Sequence, residues 1–335
     1  MPKAIFLILL SCCILPHPLK AQDPQFGHFY TNSMLYNPAF AGNVDFGRFA
    51  LSYRNQWPGI KNNFVSYAAS YQHFFDQYNS GIGLQFVSDR AGSGGLTNNS
   101  ANLMYAYQAP INHKLAITAG IKGGIHYKFL DIEKYVFADQ IARDDMQSQS
   151  ISNNGVYDEP LLFPNFGTGV VLHHIDKYWF GLSFDHINRP SNGFGDKSSK
   201  LDPSISAQAG WNFPIRDMKY SKHSTSKVTV AALYKYMNNW NQLDLGLYYS
   251  DISYIFGIWH RGVPFIKTPA NTLHRDAIVL LAGFSIKQFA FAYSYDITTS
   301  ELFGHSAGSH EISILLDLQR PKQQKRSYSI PCPKW

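Results

Sequence analysis

The chain has 335 residues, of which 15% are aromatic and only 16% are charged, whereas typical soluble domains carry about 25% charged residues. The net charge of +6 does not indicate a nucleic-acid-binding protein, because the lysines and arginines are scattered and never form a basic stripe. No run of about 18 or more apolar residues occurs in the body of the chain, which excludes a membrane-spanning helix there.

The N-terminus has the three parts of a secretory signal peptide. Lys3 supplies a positive charge, Ala4–Leu15 is an apolar run too short to span a bilayer, and Leu19–Ala21 ends in a small residue suited to cleavage. We therefore expect export and removal of a signal peptide covering residues 1–21. Lipoprotein processing at Cys12 is the alternative, although the apolar run before this cysteine is very short.

Cysteine usage limits how the mature chain can be stabilised. Cys12 and Cys13 leave with the signal peptide, so Cys332 remains as the only cysteine. No disulfide can then form within the chain, although the protein is exported. We interpret Cys332 as an ordinary thiol without a reactive role.

Residues 22–44, QDPQFGHFYTNSMLYNPAFAGNV, precede the first strand pattern. A short helix ending at Tyr36 is plausible, because Pro38 disfavours the α conformation of Asn37 before it. A free apolar arm in the periplasm would be costly, so we expect this segment to fold back and plug the lumen of a barrel formed by the following residues. A flexible leader is the alternative.

Residues 45–319 contain fourteen segments in which apolar and polar side chains alternate, which is the pattern of β-strands. Each segment is about ten residues long, the length that crosses a bilayer at a tilt. The segments are Gly47–Trp57, Phe64–Phe75, Gly81–Arg90, Asn99–Pro110, Lys114–Phe129, Asn165–His174, Tyr178–Ile187, Ser204–Phe213, Lys227–Met237, Asn241–Ser250, Ser253–Gly262, Ala277–Ile286, Gln288–Ile297 and His310–Gln319.

The connections between these segments alternate between short and long. Ile175–Lys177 is one of the short ones, and Leu130–Pro164 is the longest. This pattern predicts a transmembrane β-barrel of about fourteen antiparallel strands, with tight periplasmic turns, long external loops and both mature termini in the periplasm. Two connections fit poorly: Pro214–Ser226 is long for a periplasmic turn, and Asn238–Asn239 is short for an external loop.

The stretch Phe289–Ser300, FAFAYSYDITTS, indicates which face of the sheet is inside. Aromatic residues alternate with alanine, serine and aspartate. In a soluble barrel of this strand count, such small inward residues would leave voids. In a membrane barrel, lipid covers the aromatic face and the small and polar face lines the lumen, while closure leaves no unpaired edge in hydrocarbon. A soluble β-sandwich or a propeller is therefore disfavoured.

Charged residues inside the strand patterns follow the same parity. A basic residue on the lipid face near the bilayer midplane would cost roughly 2–4 kcal/mol, and Arg54 interrupts the first strand pattern. Parity places Asp244, Asp296 and Glu311 on the small or polar face. We expect these lumenal charges to anchor the plug segment, with ligand contact as the alternative role.

Metal and catalytic sites are not indicated. The neighbouring His173 and His174 would point to opposite faces of a strand, and no set of possible ligands has a recognisable metal-binding spacing. His305–His310 contains two serines and two histidines, but it has neither a nucleophile elbow nor a known triad order. We therefore expect no enzymatic activity, no cofactor and no metal.

The long connection Asp131–Pro160 is acidic, but the spacing of its carboxylates does not match a calcium-binding EF-hand loop. Connections of this length are usually functional or disordered. This one is therefore the best candidate for contact with an exported partner. The candidate residues are Asp139, Asp144, Asp145 and Tyr157.

Four stretches together resemble one known family. They are QDPQFGHFYTNSMLYNPAFAG, LSYRNQWPG (Leu51–Gly59), SYDITTSELFGHSAGSHEISI (Ser294–Ile314) and IPCPKW (Ile330–Trp335). Over essentially the whole mature chain, the sequence is similar to the PorP/SprF family of type IX secretion system membrane proteins. The tripeptide NPA is weak evidence alone, since it also occurs in the plugs of FadL-like fatty-acid transporter barrels.

The resemblance implies a non-enzymatic outer-membrane barrel of Gram-negative bacteria that use type IX secretion, a system on which gliding motility depends in some of them. Members are implicated in exporting or retaining large surface proteins such as adhesins, through the C-terminal domains of those proteins. The implied partners are such a cargo protein, translocon components, a peptidoglycan-linked periplasmic protein, and outer-membrane lipid with lipopolysaccharide. The alternative function is a FadL-like transporter of small hydrophobic molecules.

The last residues, 320–335, are basic and rich in proline. Prolines lack the donor that a strand ladder needs, so this tail is not another strand. We expect it to hang in the periplasm, either as a simple extension or, as the family resemblance favours, as a docking epitope for a periplasmic component.

Overall fold

The computed structural model describes residues 25–27, 29–61, 63–92, 95–131, 135, 141, 159–194, 198–217, 225–238, 240–267, 273–300, 304–319 and 329–331, with only the backbone at 216–217, 225, 264–267 and 273–275. Several sequence predictions concern residues outside these ranges. They are the signal peptide (1–21), the loop candidates Asp139, Asp144, Asp145 and Tyr157, and Cys332.

Fourteen strands of the described chain form one closed antiparallel barrel. The strands are β1 (Gly47–Gln56), β2 (Phe64–Phe75), β3 (Ser80–Ala91), β4 (Leu96–Pro110), β5 (Leu115–Phe129), β6 (Leu161–His174), β7 (Tyr178–Asp185), β8 (Ser204–Asp217), β9 (Thr225–Met237), β10 (Trp240–Ser250), β11 (Tyr254–Lys267), β12 (Leu273–Ile286), β13 (Phe289–Thr298) and β14 (Ser309–Leu318). Helix α1 (Ser33–Tyr36) and a 3₁₀ turn (Pro38–Phe40) precede β1, and a second 3₁₀ turn (Asp76–Tyr78) joins β2 to β3.

The barrel closes where β1 pairs with β14, from Gly47 opposite Leu318 to Gln56 opposite Ser309. Every other strand pairs with its neighbours in the sequence. One end of the barrel therefore carries the connections after the even-numbered strands, of which those after β2, β4, β6, β10 and β12 are tight, and we call it the turn end. The opposite end, the loop end, carries the connections after the odd-numbered strands. Both β1 and β14 have their outer termini at the turn end.

The prediction of about fourteen antiparallel strands is confirmed, and one of the two poorly fitting connections is explained. The segment Pro214–Ser226 is not a long turn, because β8 runs on to Asp217 and β9 begins at Thr225. The ladder contains an irregularity between Pro214 and Arg216, which is a position where proline is tolerated. The other connection stays short, because only residues 238–239 separate β9 from β10.

The aromatic face of the strands is the outside of the barrel. On β13, Phe289 and Tyr293 are 47% and 45% exposed, whereas the alternate residues Ala290, Ala292 and Ser294 are buried. This exposure fits a surface that faces lipid. No helix among the described residues is both long and apolar enough to cross a bilayer.

The lumen contains the chain that precedes β1. We call residues 25–27 and 29–44 the N-terminal segment. Phe29, Met34 and Phe40 of this segment are almost fully buried, in one cluster with inward-facing side chains of the barrel wall. Fully burying one such side chain contributes about 1.5–3 kcal/mol relative to leaving it exposed, so the segment and the wall form a common core.

Candidate functional site

Aromatic rings fill the lumen on the side of β7 and β10–β11. The ring of Tyr30 in the N-terminal segment lies 4.8 Å from the ring of Tyr248 and 6.1 Å from Trp179, both edge-on. Tyr248 in turn meets Trp259 at 5.1 Å. Edge-to-face pairs at these distances add to the stabilisation from burial. A side-chain carbon added to Gly246 would overlap the indole of Trp259, so the glycine gives that ring its space.

The Asn37–Pro38 turn is fixed to the wall by hydrogen bonds. Asn37 is fully buried, and its Oδ1 accepts the Ala39 N–H at 2.9 Å, which caps the 3₁₀ turn. Its Nδ2 donates to Gln208 Oε1 at 3.0 Å. A side-chain carbon at Gly169 would overlap Asn37 Oδ1. The Asn37–Pro38 turn can therefore pack against the wall only because residue 169 is a glycine.

The end of helix α1 is held by wall side chains as well. The carbonyl oxygen of Tyr36 accepts hydrogen bonds from the hydroxyls of Ser183 at 2.5 Å and Ser206 at 2.7 Å. The Tyr36 hydroxyl pairs with the backbone of Phe26, donating to its carbonyl at 3.2 Å. Burial raises the pKa of the Tyr36 hydroxyl well above its usual range, so the group is neutral in the lumen.

A cluster of ionised side chains lies in the lumen near the loop end. The floor cluster, as we call it, consists of Arg54, Asp244, Arg261, Asp296 and Glu311, which come from β1, β10, β11, β13 and β14. Asp296 Oδ2 accepts from Arg54 Nη2 at 2.6 Å and from Arg261 Nη1 at 2.8 Å. Every member is buried. Buried ion pairs are weak evidence that a cluster stabilises the fold, because the cost of desolvation offsets their attraction. Whether this cluster positions the N-terminal segment depends on its contacts with that segment.

The remaining contacts join the floor cluster into one unit. Arg54 Nη1 donates to Glu311 Oε2 at 3.3 Å, and Arg261 Nε lies 3.8 Å from Asp244 Oδ1. Arg261 was absent from the residues singled out in the sequence. It has the inward parity of Trp259 in the same strand, so parity alone could have identified it.

The floor cluster contacts the N-terminal segment directly at Gly27. The Gly27 N–H donates to Glu311 Oε2 at 2.5 Å, and a side-chain carbon at Gly27 would lie 3.3 Å from Arg54 Nη1. Glu311 thus contacts the segment directly, whereas the hydrogen bonds of Asp296 go to Arg54 and Arg261. The alternation of the strands does not distinguish these carboxylates, because it determines the face on which a residue lies but not its neighbours.

A second polar group lies on β5–β7. Lys122 and Asp185 form an ion pair, and Asn165 Nδ2 donates to Asp185 Oδ1 at 3.2 Å. His186 Nδ1 lies 2.9 Å from Asn165 Oδ1, so His186 belongs to the same polar group. Within the described residues, no group of three or more His, Cys, Asp or Glu side chains could hold a metal ion.

The C-terminal residues return to the turn end of the barrel. Ile330 is almost fully buried in the same core cluster as the N-terminal segment, and its N–H donates to Asn43 Oδ1 at 3.0 Å. Asn212 Nδ2 donates to the Pro331 carbonyl at 2.7 Å. The expectation of a tail hanging free is therefore wrong for residues 329–331. The sequence excluded a strand there but gave no sign of docking.

A cavity of about 610 Å³, which we call the vestibule, lies between the floor cluster and the loop end. Its bottom is formed by Gln25 of the N-terminal segment together with members of the floor cluster. Trp57, Phe64 and Trp240 line its sides, each at the loop end of a strand. Among the described residues, the lumen is thus packed towards the turn end and encloses a cavity towards the loop end.

Comparison with known proteins identifies one family. The model of the family described as type IX secretion system membrane protein PorP/SprF matches residues 19–316. Among proteins with curated descriptions, none matches this chain significantly.

Solved structures resemble the chain in fold. The Ralstonia pickettii toluene transporter TbuX is 8% identical with a TM-score of 0.49, over 86% of this chain and 93% of that one. The P. putida toluene transporter TodX is 11% identical with a TM-score of 0.49, over 87% and 95%. CdiB from Acinetobacter baumannii is 10% identical with a TM-score of 0.41, over 82% and 60%. At these identities, the likeness concerns the fold alone.

Proposed function

The chain belongs to the PorP/SprF family of type IX secretion system membrane proteins, and from this premise we propose that it is a non-enzymatic outer-membrane component of type IX secretion. It anchors one specific cell-surface protein, or assists its export, by binding the C-terminal domain of that protein. A cleaved signal peptide, residues 1–21, directs it to the membrane. The single observation that carries the proposal beyond family membership is the occupied lumen.

The occupied lumen argues for an anchor and against a conduit. Asn37 and Phe40 are fully buried inside the barrel, and Ile330 packs beside them from the turn end. A folded polypeptide has no room beside these residues. The cargo therefore crosses the membrane elsewhere, and this barrel offers it a surface at the loop end, where the residues Asp139, Asp144, Asp145 and Tyr157 remain the proposed contacts.

Transport of small hydrophobic molecules is a weaker candidate. An apolar solute that moves down the lumen from the vestibule would meet the floor cluster, where Arg54, Asp296 and Glu311 are buried and ionised. Apolar molecules gain nothing from such a surface, and displacing its hydrogen bonds costs free energy. Within the lumen, the geometry therefore favours binding over passage.

Isolation of the protein from native membranes tests the proposed function. An affinity-tagged chain, purified in mild detergent, should retain one large surface protein that mass spectrometry identifies. The tag belongs in an external connection rather than at the C-terminus, because Ile330 is buried. Deleting the gene should remove that surface protein from the cell envelope. A paralogue tagged in the same way is the control and should retain a different protein.

Two results would contradict this function. One is purification of the folded barrel from native membranes with no surface protein attached, under conditions in which the paralogue keeps its own. The other is a wide, permanently open pore of the purified barrel in planar bilayers, since the packed N-terminal segment should keep the conductance low.

A further inference from the structure

Some of the residues that line the vestibule carry a buried polar atom with no hydrogen-bond partner. A buried donor or acceptor left in this state carries its full desolvation penalty, so native proteins leave few of them. Five such atoms belong to residues that line this single cavity. They are Arg54 Nε, Asn98 Oδ1, Gln242 Oε1, Arg261 Nε and Asp296 Oδ1.

The arrangement of the floor cluster explains why these atoms are left over. Arg54 and Arg261 both donate to the same oxygen, Asp296 Oδ2, so Asp296 Oδ1 stays unused. Gln242 Nε2 donates to Asp244 Oδ1 at 2.7 Å, and Gln242 Oε1 likewise has no hydrogen-bond partner. All of these side chains stand on paired strands of the closed sheet, so their backbone positions are fixed before any ligand arrives. The unpaired atoms have almost no accessible surface, so pairing with a ligand requires a change of side-chain rotamer.

The mixture of donors and acceptors limits the chemistry of a ligand. The unpaired guanidinium nitrogens of Arg54 and Arg261 are donors, and the unpaired oxygens of Asn98, Gln242 and Asp296 are acceptors. A purely anionic ligand would be repelled by Asp296, a purely cationic one by the arginines, and an apolar one would leave every group unpaired. A peptide backbone supplies N–H and C=O groups in alternation and matches both kinds.

The sides of the vestibule suit amino-acid side chains. Trp57, Phe64 and Trp240 line it together with Leu96 and Leu201, and these side chains offer apolar contact to the side chains of a peptide. The volume of about 610 Å³ lies within the roughly 300–1,000 Å³ of small-molecule sites. A short segment of chain fits, and a folded domain does not.

We propose that the vestibule binds a short extended segment of the exported partner, with the backbone of that segment paired to the floor cluster and its side chains packed on the aromatic sides. This inference rests on the proposed function and names the part of the barrel that recognises the cargo. Gln25 lines the vestibule, and the Gly27 N–H is bound to Glu311. Binding should therefore also protect the start of the N-terminal segment.

The experiment uses the full-length barrel in detergent and a set of overlapping synthetic peptides that covers the C-terminal domain of the co-purified surface protein. Fluorescence anisotropy should detect binding of at least one peptide. Arg261→Gln should weaken that binding roughly tenfold or more, the loss expected for one hydrogen bond to a charged group, and Gln242→Ala should weaken it roughly three- to tenfold, the loss expected for a neutral one. The bound peptide should slow proteolysis of the N-terminal segment.

Arg48→Gln is the matched control. Arg48 is also buried, but it pairs with Asp317 near the turn end, with its Nε 2.5 Å from Asp317 Oδ1, and it lies outside the vestibule. This variant should bind the peptide as the unmodified barrel does. Each variant is first shown to keep the electrophoretic mobility of a folded barrel, and Gln242→Ala, which removes no charge, preserves the test if Arg261→Gln misfolds.

Three results would overturn the assignment of the vestibule. The surface protein could co-purify while none of its peptides binds, or Gln242→Ala and Arg261→Gln could bind the peptide unchanged. In either case the proposed function stands and only this inference fails. The third is binding of purified lipopolysaccharide O-chain that is lost in both variants, which would make the vestibule a glycan site. If no surface protein co-purifies, the proposed function and this inference fall together.

Discussion

The two halves of the lumen are built from different chemistry. Towards the turn end, Phe29, Phe40, Trp179 and Ile330 form one apolar cluster, and polar atoms such as those of Asn37 are bonded to the wall. Towards the loop end, the same barrel encloses side chains joined by ion pairs and a cavity of about 610 Å³.

This difference indicates that one half of the lumen closes the barrel and the other half is suited to binding a partner. Apolar packing is stable without a partner, because the contacts that stabilise it are already made. Buried polar groups that lack partners are costly and gain from a ligand that supplies them. We therefore interpret the turn-end half as the seal of the barrel and the loop-end half as the part prepared for binding. Changes in one half should leave the other half intact.

The largest expected effect lies in the seal. Phe40→Ala removes a fully buried ring and should lower the free energy of unfolding by roughly 3–5 kcal/mol. Urea unfolding in detergent measures this loss, and planar-bilayer recordings should show new conductance. Phe49→Ala is the control, because Phe49 is 47% exposed on the outer face. Equal conductance in the two variants would mean that Phe40 does not seal the lumen.

A smaller effect is expected where the Asn37–Pro38 turn meets the wall. Gly169→Ala places a carbon on Asn37 Oδ1, and such overpacking costs about 1–3 kcal/mol. The turn should shift, and limited proteolysis should cut the N-terminal segment faster. At Gly123 the nearest atom to an added carbon is 3.6 Å away, in the ring of Phe166. The N-terminal segment of the Gly123→Ala variant should therefore be cleaved at the same rate as in the unmodified protein. Equal rates for the Gly169→Ala and Gly123→Ala variants would refute the steric argument.

The floor cluster gives the next test. Asp296→Ala leaves Arg54 paired with Glu311, and Arg261 near Asp244, so the cost should be about 1–3 kcal/mol, as for an unsatisfied buried group. Proteolysis at the start of the N-terminal segment should quicken, because Arg54 is no longer held. Glu311→Ala should quicken it more, since it also removes the acceptor of the Gly27 N–H. The reverse order would make Asp296 the main anchor.

The smallest effect concerns alkaline pH. Burial raises the pKa of the Tyr36 hydroxyl, so the folded lumen disfavours the phenolate. The neutral Tyr36 hydroxyl contributes fully to stability below about pH 10, the ordinary pKa of tyrosine. This contribution is lost as the pH rises further towards the raised pKa of the buried group. Proteolysis of the N-terminal segment should therefore accelerate above that pH. Tyr36→Phe should reduce this pH dependence, at a cost of about 0.5–1.5 kcal/mol for its lost hydrogen bonds.

The barrel could be predicted in detail from the sequence, because alternation and connection length are local properties. Parity correctly assigned Phe289 to the outer face and Asp296 to the inner face. The pairing of Asp296 with Arg261 was out of reach, because β11 and β13 are separated by β12. Contacts across the lumen depend on the tilt and stagger of the whole barrel, which no single segment encodes.

The contacts made by the two ends of the described chain could not be predicted from the sequence either. The prolines of the tail excluded a further strand, but they did not indicate where Ile330 would lie. Gly27 gave no signal either, because its role is a backbone N–H bound to Glu311, and every residue other than proline carries such a donor.

The docking of Ile330 has a consequence for the order of assembly. Its N–H is bound to Asn43, which lies just before β1, and its side chain lies in the cluster that holds Phe40. The first and last parts of the chain meet at this point, beyond the junction of β1 with β14. The seal is complete only after the last strand has been inserted and the barrel has closed. A chain that ends before residue 329 would have all fourteen strands and a closed sheet, but it would lack the contacts by which Ile330 completes the seal.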